Sequence, residues 1–172
     1  VVGGTITAGA GVASAATAAN PFPDEASIDQ VVGAPAAWAQ GADGHGVDVA
    51  LVDTGVTPVQ GLNGSNKLIY GPDLSFDSQL PGASYLDGYG HGTAMAGIIA
   101  GNDGTAGGYS GVAPQARLVS VKVGASTGAA DVSQIIAGID WVVAHAHDNG
   151  MNIRVLNLSL GTDSTQVYTS DP

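Results

Sequence analysis

Asp53 closes the apolar run Val47-Asp48-Val49-Ala50-Leu51-Val52, and His91 stands between glycines in Gly90-His91-Gly92-Thr93-Ala94-Met95-Ala96-Gly97. A carboxylate fixed at a strand end can accept the Nδ1 proton of an imidazole, which leaves Nε2 free to take a proton from a nucleophile. Glycines on both sides of the histidine permit close approach by a substrate backbone and by neighbouring main chain. A single histidine is more often a surface residue or a satisfied core residue than a catalytic one, so the text around this one has to carry the assignment.

The elements that must position the pair are legible from periodicity. Val47 to Val52 lies between Gly46 and Gly55 and is almost continuously apolar, the pattern of a strand buried on both faces of a parallel sheet, with Asp53 at its carboxyl end. Residues 56–89 read as loops around a Pro81-Gly82 turn, with a short strand over Lys67–Tyr70 and no chemistry expected from them. Residues 92–100 are helix-compatible with a face of small side chains, and His91 falls in the first turn. Leu118–Val123 reads as a second long strand. Asp131 and Gln134 then form a capping-box start for a helix carrying Val132, Ile135, Ile136, Ile139, Val142 and Val143, with Gly150 as its C-cap. Ile153–Leu160 is a further strand. Strands alternating with helices predict an α/β fold, a doubly wound, mostly parallel sheet flanked by helices, in which sites form beyond the carboxyl ends of the strands.

Composition excludes several classes of partner. The 172 residues are 44% apolar and 11% charged, as in a folded chain, and they contain no cysteine, so disulfides, thiolate metal sites and cysteine nucleophiles are all absent. Four basic residues against fifteen carboxylates give a formal charge of -11, which disfavours nucleic acid and anionic membrane surfaces. No apolar run approaches the roughly 18 residues of a membrane span. The Ala/Thr/Ser-rich stretch from Ala8 to Ala19 reads either as the remnant of a signal or pro-segment or as a linker. Pro21-Phe22-Pro23 ends it, giving a flexible segment over residues 1–26 and a folded domain from about Ser27.

Val49-Ala50-Leu51-Val52-Asp53-Thr54-Gly55-Val56 and the Gly90–Gly97 segment resemble the aspartate and histidine signatures of the subtilisin-like serine proteases. Further segments resemble that family in the right order: Ser27-Ile28-Asp29-Gln30 through Trp38, Gly111-Val112-Ala113-Pro114 into Val119–Val123, Ile135–Trp141, and Val155–Gly161. The resemblance implies a secreted, extracellular serine endopeptidase in which Asp53 orients and His91 is the general base. It also implies that Ser159, Leu160 and Gly161 line one wall of a peptide groove and Gly128 the other, so that a protein or peptide substrate binds as an added strand. No cofactor is implied for the chemistry. Asn102-Asp103-Gly104-Thr105 follows the histidine helix where relatives often bind a structural calcium through loop oxygens.

The same resemblance places an oxyanion-hole asparagine and a nucleophilic serine after Leu160. Only Ser164 and Ser170 follow there, in a polar tail without a small-residue helix, and they read as solvated loop serines. The chain is therefore expected to be the N-terminal part of a peptidase domain, residues 27–172, with the C-terminal part of that domain as its partner. Alone it is expected to be inactive, with a bare edge or face at the Ile153–Leu160 strand that favours aggregation. A catalytically dead peptide-binding module is the alternative. Asp53-Thr54-Gly55 also matches the aspartic-protease signature, but that class needs two such aspartates on an all-β chain. His145 and His147, two apart on a helix, point about 200° apart and make no shared metal face, and His45 sits in a glycine-rich turn.

Overall fold

The computed structural model describes residues 24–105 and 108–161, so the N-terminal segment through Pro23 and the tail carrying Ser164 and Ser170 lie outside the described residues. The elements in chain order are α1 (Glu25–Val32), α2 (Ala34–Trp38), β1 (Asp48–Asp53), β2 (Leu68–Asp73), α3 (His91–Ala100), β3 (Arg117–Lys122), α4 (Val132–Ala144) and β4 (Ile153–Asn157). All strand pairs are parallel, in the order β2-β3-β1-β4.

Every residue of β1 is buried, because the strand is central and covered on both faces. Its side chains alternate between two cores. Val49 and Leu51 join Val56, Leu62, Ala96, Ala100 and Leu118 beneath α3, whereas Ala50 and Val52 join Val119, Val121, Val142 and Ile153 beneath α4. Gly138 lets α4 lie close to the sheet, since a Cβ there would meet side-chain methyls of Val52, Val121 and Val123 at 3.2–3.3 Å. Buried Asp48, at the amino end of β1, is held by a two-pronged bond from Arg117 (2.6 Å to each oxygen) and by the Asn152 amide (2.7 Å), which ties β1, β3 and the entry to β4 together.

After β1 the chain moves outward to β2 and returns through α3 to β3. It then crosses through α4 to β4 on the far side of β1. The winding therefore reverses at the β1/β3 boundary, the place where an open α/β sheet leaves a crevice beyond its carboxyl ends. Asp53 and Lys122, register partners in β1 and β3, stand at that crevice.

β1 and β3 are each shifted by one residue from the sequence expectation, and three other boundaries differ by more. The capping box at Asp131 and Gln134 is formed, but α4 stops at Ala144 rather than running to Gly150. His145 leaves the helical conformation there. Its ring stacks on Trp141 and its Nδ1 lies 2.7 Å from the Trp141 carbonyl. Gly150, at φ 76°, closes a separate 3-10 turn. β4 ends at Asn157 instead of Leu160, because β1, the strand it pairs with, has its last partner in this ladder at Leu51. The Lys67–Tyr70 strand is displaced to Leu68–Asp73. At the other end of the chain, α1 begins at Glu25 with Asp24 as its cap.

Candidate active site

The site is built where the N-terminus of α3 meets the end of β1. His91 is the first residue of α3, and Asp53, 1% exposed, is the last of β1. The Nδ1 of His91 lies 2.8 Å from Oδ1 and 3.0 Å from Oδ2 of Asp53. With that nitrogen donating to the carboxylate, Nε2 is left as the basic position, on a side chain that is 37% exposed. Two glycines make this approach possible. A Cβ on Gly92 would lie 2.1 Å from the Gly55 carbonyl oxygen, and one on Gly55, at φ 100°, would lie 2.8 Å from the Tyr85 carbonyl oxygen.

A second layer holds the pair. The Thr54 amide donates to Asp53 Oδ1 at 2.7 Å, and the Thr54 hydroxyl accepts from the Gly92 amide at 2.9 Å and donates to Asp87 Oδ1 at 2.9 Å. Asp87 also accepts from the amides of Tyr89, Gly90 and Thr93 at 2.7–3.0 Å, so it ties the turn before His91 to the first turn of α3. Burial alone would raise the Asp87 carboxyl, but the bonds from Gly90, Thr93 and Thr54 outweigh it and hold the group below the ordinary carboxylate range. Beneath this layer lies Lys122, 1% exposed, whose ammonium donates to the carbonyls of Thr54 and Leu86, each at 2.9 Å, with Asp77 at 3.9 Å.

Sequence reasoning missed this layer. Residues 56–89 were expected to contribute no chemistry, yet Asp87 from that stretch positions the histidine turn. Lys122 reads as an alternating polar position of a strand, and only its burial shows otherwise. A signal did exist for Asp87: an aspartate three residues before a Gly-His is spaced to bond the amides of a tight turn.

The expected groove residues are more dispersed. Gly128, at φ 84°, lies against the ring of Tyr89, where a Cβ would approach to 2.8 Å, so the loop after β3 touches the loop that carries His91. Ser159 accepts a bond from Asn157 Nδ2 at 3.0 Å, Leu160 packs partly buried on the α4 side of the core, and Gly161 is exposed. These three follow β4 past its last pairing. In the loop considered for calcium, Asp103 accepts from Thr105 and from the Tyr109 amide, and Asn102 from the Gly104 amide. Both oxygens of its one carboxylate are thus bonded within the loop. His45 and His147 are exposed, and no group of three or more histidines and carboxylates converges among the described residues.

A profile of the subtilase family, Peptidase_S8, matches residues 44–172. The chain belongs to the subtilase family. It is 45% identical over 134 residues to Subtilisin Savinase of Lederbergia lenta, which covers 77% of this chain and 44% of that protein. To the Major intracellular serine protease of Bacillus subtilis (strain 168) it is 38% identical over 137 residues, 78% of this chain and 40% of that protein. The crystal structure of a cold adapted subtilisin-like serine proteinase superposes with a TM-score of 0.55 at 34% identity, covering 72% of this chain and 40% of that one. The chain thus spans less than half the length of these relatives. Membership of this α/β family leaves the aspartic-protease reading without support.

Proposed function

We propose that this subtilase is a serine endopeptidase in which Asp53 is the orienting carboxylate and His91 the general base. The observation that carries the reading is the hold of both Asp53 oxygens on His91 Nδ1. Held so, Nε2 takes the proton of a serine hydroxyl as that oxygen attacks the peptide carbonyl, and the buried Asp53 charge stabilises the imidazolium. The same nitrogen then delivers the proton to the departing amine. The substrate strand runs between the Gly128 loop and the Ser159-Leu160-Gly161 segment, and the reaction needs no cofactor.

The nucleophilic serine and the oxyanion-hole asparagine are supplied from outside the described residues, none of whose hydroxyls is bonded to His91. Without a segment that supplies both, no turnover is expected. Secretion is supported by similarity to the Minor extracellular protease Epr of Bacillus subtilis (strain 168), while the intracellular relative shows that the family also works inside cells.

The test is to supply the chain with a serine-bearing C-terminal segment and to follow cleavage of a peptide amide. Cleavage is expected, and it should vanish in His91→Ala. Cleavage that survives His91→Ala would sink the assignment. The second reading is a peptide-binding module without turnover. Retention of a peptide by the complemented, demonstrably folded protein, with no cleavage, would establish it.

A further inference from the structure

The far end of the molecule from His91 holds a second acidic site that the proton relay does not use. Glu25 and Asp29 lie one turn apart on α1, so their carboxylates share a face. Asp29 is 3% exposed. Oε1 of Glu25 and Oδ1 of Asp29 are buried and have no hydrogen-bond partner among the described residues. Both residues line a cavity of about 570 Å³ whose walls include Trp38 of α2 and Asn102 and Tyr109 from the loop after α3. A buried carboxylate oxygen without a donor is costly, and two on one helix face repel each other. Burial raises both carboxyls above their ordinary range, and the Asp29 charge adds to the rise at Glu25.

No basic side chain reaches this cavity among the described residues. Its complete stock of basic side chains is four. Lys67 donates to the Pro114 and Ala116 carbonyls, Arg117 holds Asp48, and Lys122 is buried at the Thr54 and Leu86 carbonyls. Arg154 lies on β4 and is not in the cavity wall. The donor these oxygens lack among the described residues is one that a ligand cation can supply. A hard divalent ion needs six to eight oxygens within about 2.6 Å, but the cavity is far larger than such an ion and holds two unpartnered carboxylate oxygens. Its indole and phenol walls instead suit the alkyl stem and flat or compact cationic head of an organic cation.

We propose that this cavity binds an alkyl guanidinium or alkyl ammonium group, with Asp29 and Glu25 accepting from its N–H donors. The site lies at the opposite end of α3 from His91, about 15 Å along a ten-residue helix, so its occupant is not the scissile residue of a substrate. The cation can be a free amine or the side chain of an arginine or lysine in a partner peptide.

Agmatine is the probe for the free amine and acetyl-Ala-Arg-Ala-amide for the peptide, each titrated into the full chain while the indole N–H resonance of Trp38 is followed. Saturable agmatine binding is expected. It should weaken about tenfold or more in Asp29→Asn, the loss of a charge-assisted bond, and shift the same way in Glu25→Gln. Pentylurea, which has the shape without the charge, should not bind. Tighter binding of the peptide assigns the source to a protein partner, and tighter binding of agmatine to a free amine. Absence of saturation with agmatine overturns the proposal. So does unchanged affinity in either variant that keeps a cooperative melt, or calcium chloride occupying the cavity without competition from agmatine. The readout is binding, so failure here leaves the peptidase reading of Asp53 and His91 untouched.

Discussion

Helix α3 has buried or half-buried carboxylates at both of its ends, and they are satisfied to opposite degrees. At its N-terminus Asp53 and Asp87 have their lone pairs filled by His91, Thr54 and three turn amides. Beyond its C-terminus Glu25 and Asp29 each have an oxygen without a partner among the described residues. A carboxylate whose task is to fix a neighbour is saturated by the fold itself, because any loose lone pair would let the neighbour move. A carboxylate whose task is to meet a ligand has to be left incomplete.

The largest effects should come from breaking the saturated end. In the complemented peptidase, His91→Ala is expected to lower kcat by on the order of 10⁶, and Asp53→Asn by on the order of 10⁴, the losses found when these triad members are removed from a subtilisin. Steady-state cleavage of a chromogenic peptide measures both. Equal losses in the two variants would mean that Asp53 does more than orient the imidazole.

Lys122→Met comes next, and its effect should fall on stability. It strips the donor from two carbonyls that flank the Asp53 loop, at an expected cost of about 3 kcal/mol, read as a lowered urea midpoint. A change under about 0.5 kcal/mol would show that water replaces the ammonium there.

Acid separates the two ends by sign. Asp87 has its folded pKa depressed, so its contribution is complete above the unfolded value of about 3.9 and is lost as pH falls through the folded value. Asp87→Asn should therefore cost about 2 kcal/mol at pH 7 and flatten the acid limb of the stability profile. Asp29 and Glu25 are raised, so the folded state holds more protons than the unfolded state just above pH 4, and stability falls as pH rises through that window. The smallest effect follows from this: without ligand, Asp29→Asn should raise stability at pH 7 by up to about 1 kcal/mol. Melting temperatures of the three proteins between pH 3 and 7 test both signs, and a destabilised Asp29→Asn would place that carboxylate with the saturated group.

What could be read from the sequence divides along the same line. β1, β3 and α4 announced themselves because burial on two faces demands continuous apolar runs, and a helix start needs a capping side chain at a fixed spacing. The Asp53–His91 pair was legible because each sits at the terminus of such an element. Asp87 and Lys122 were not. Lys122 reaches the Thr54 carbonyl across 68 residues and Asp87 the Thr54 hydroxyl across 33, spans that no local pattern encodes; only the turn bonds of Asp87 to the Tyr89 and Gly90 amides left a local signal. The end of α4 was misplaced for the converse reason: Gly150 is a good stop signal, but stacking of His145 on Trp141 ends the helix earlier.

The contacts that Gly55 and Gly92 permit are between main-chain atoms: the start of α3, the turn after β1 and the Tyr85–Leu86 segment touch without an intervening side chain. The spacing of the histidine and its carboxylate is thus set by backbone rather than by the size of any variable residue. In evolutionary terms this separates two traits. Under the proposed function, substitutions at Tyr89, at the Gly128 loop or after β4 alter what the groove accepts while the proton relay keeps its length, so preference is free to drift without the chemistry drifting with it.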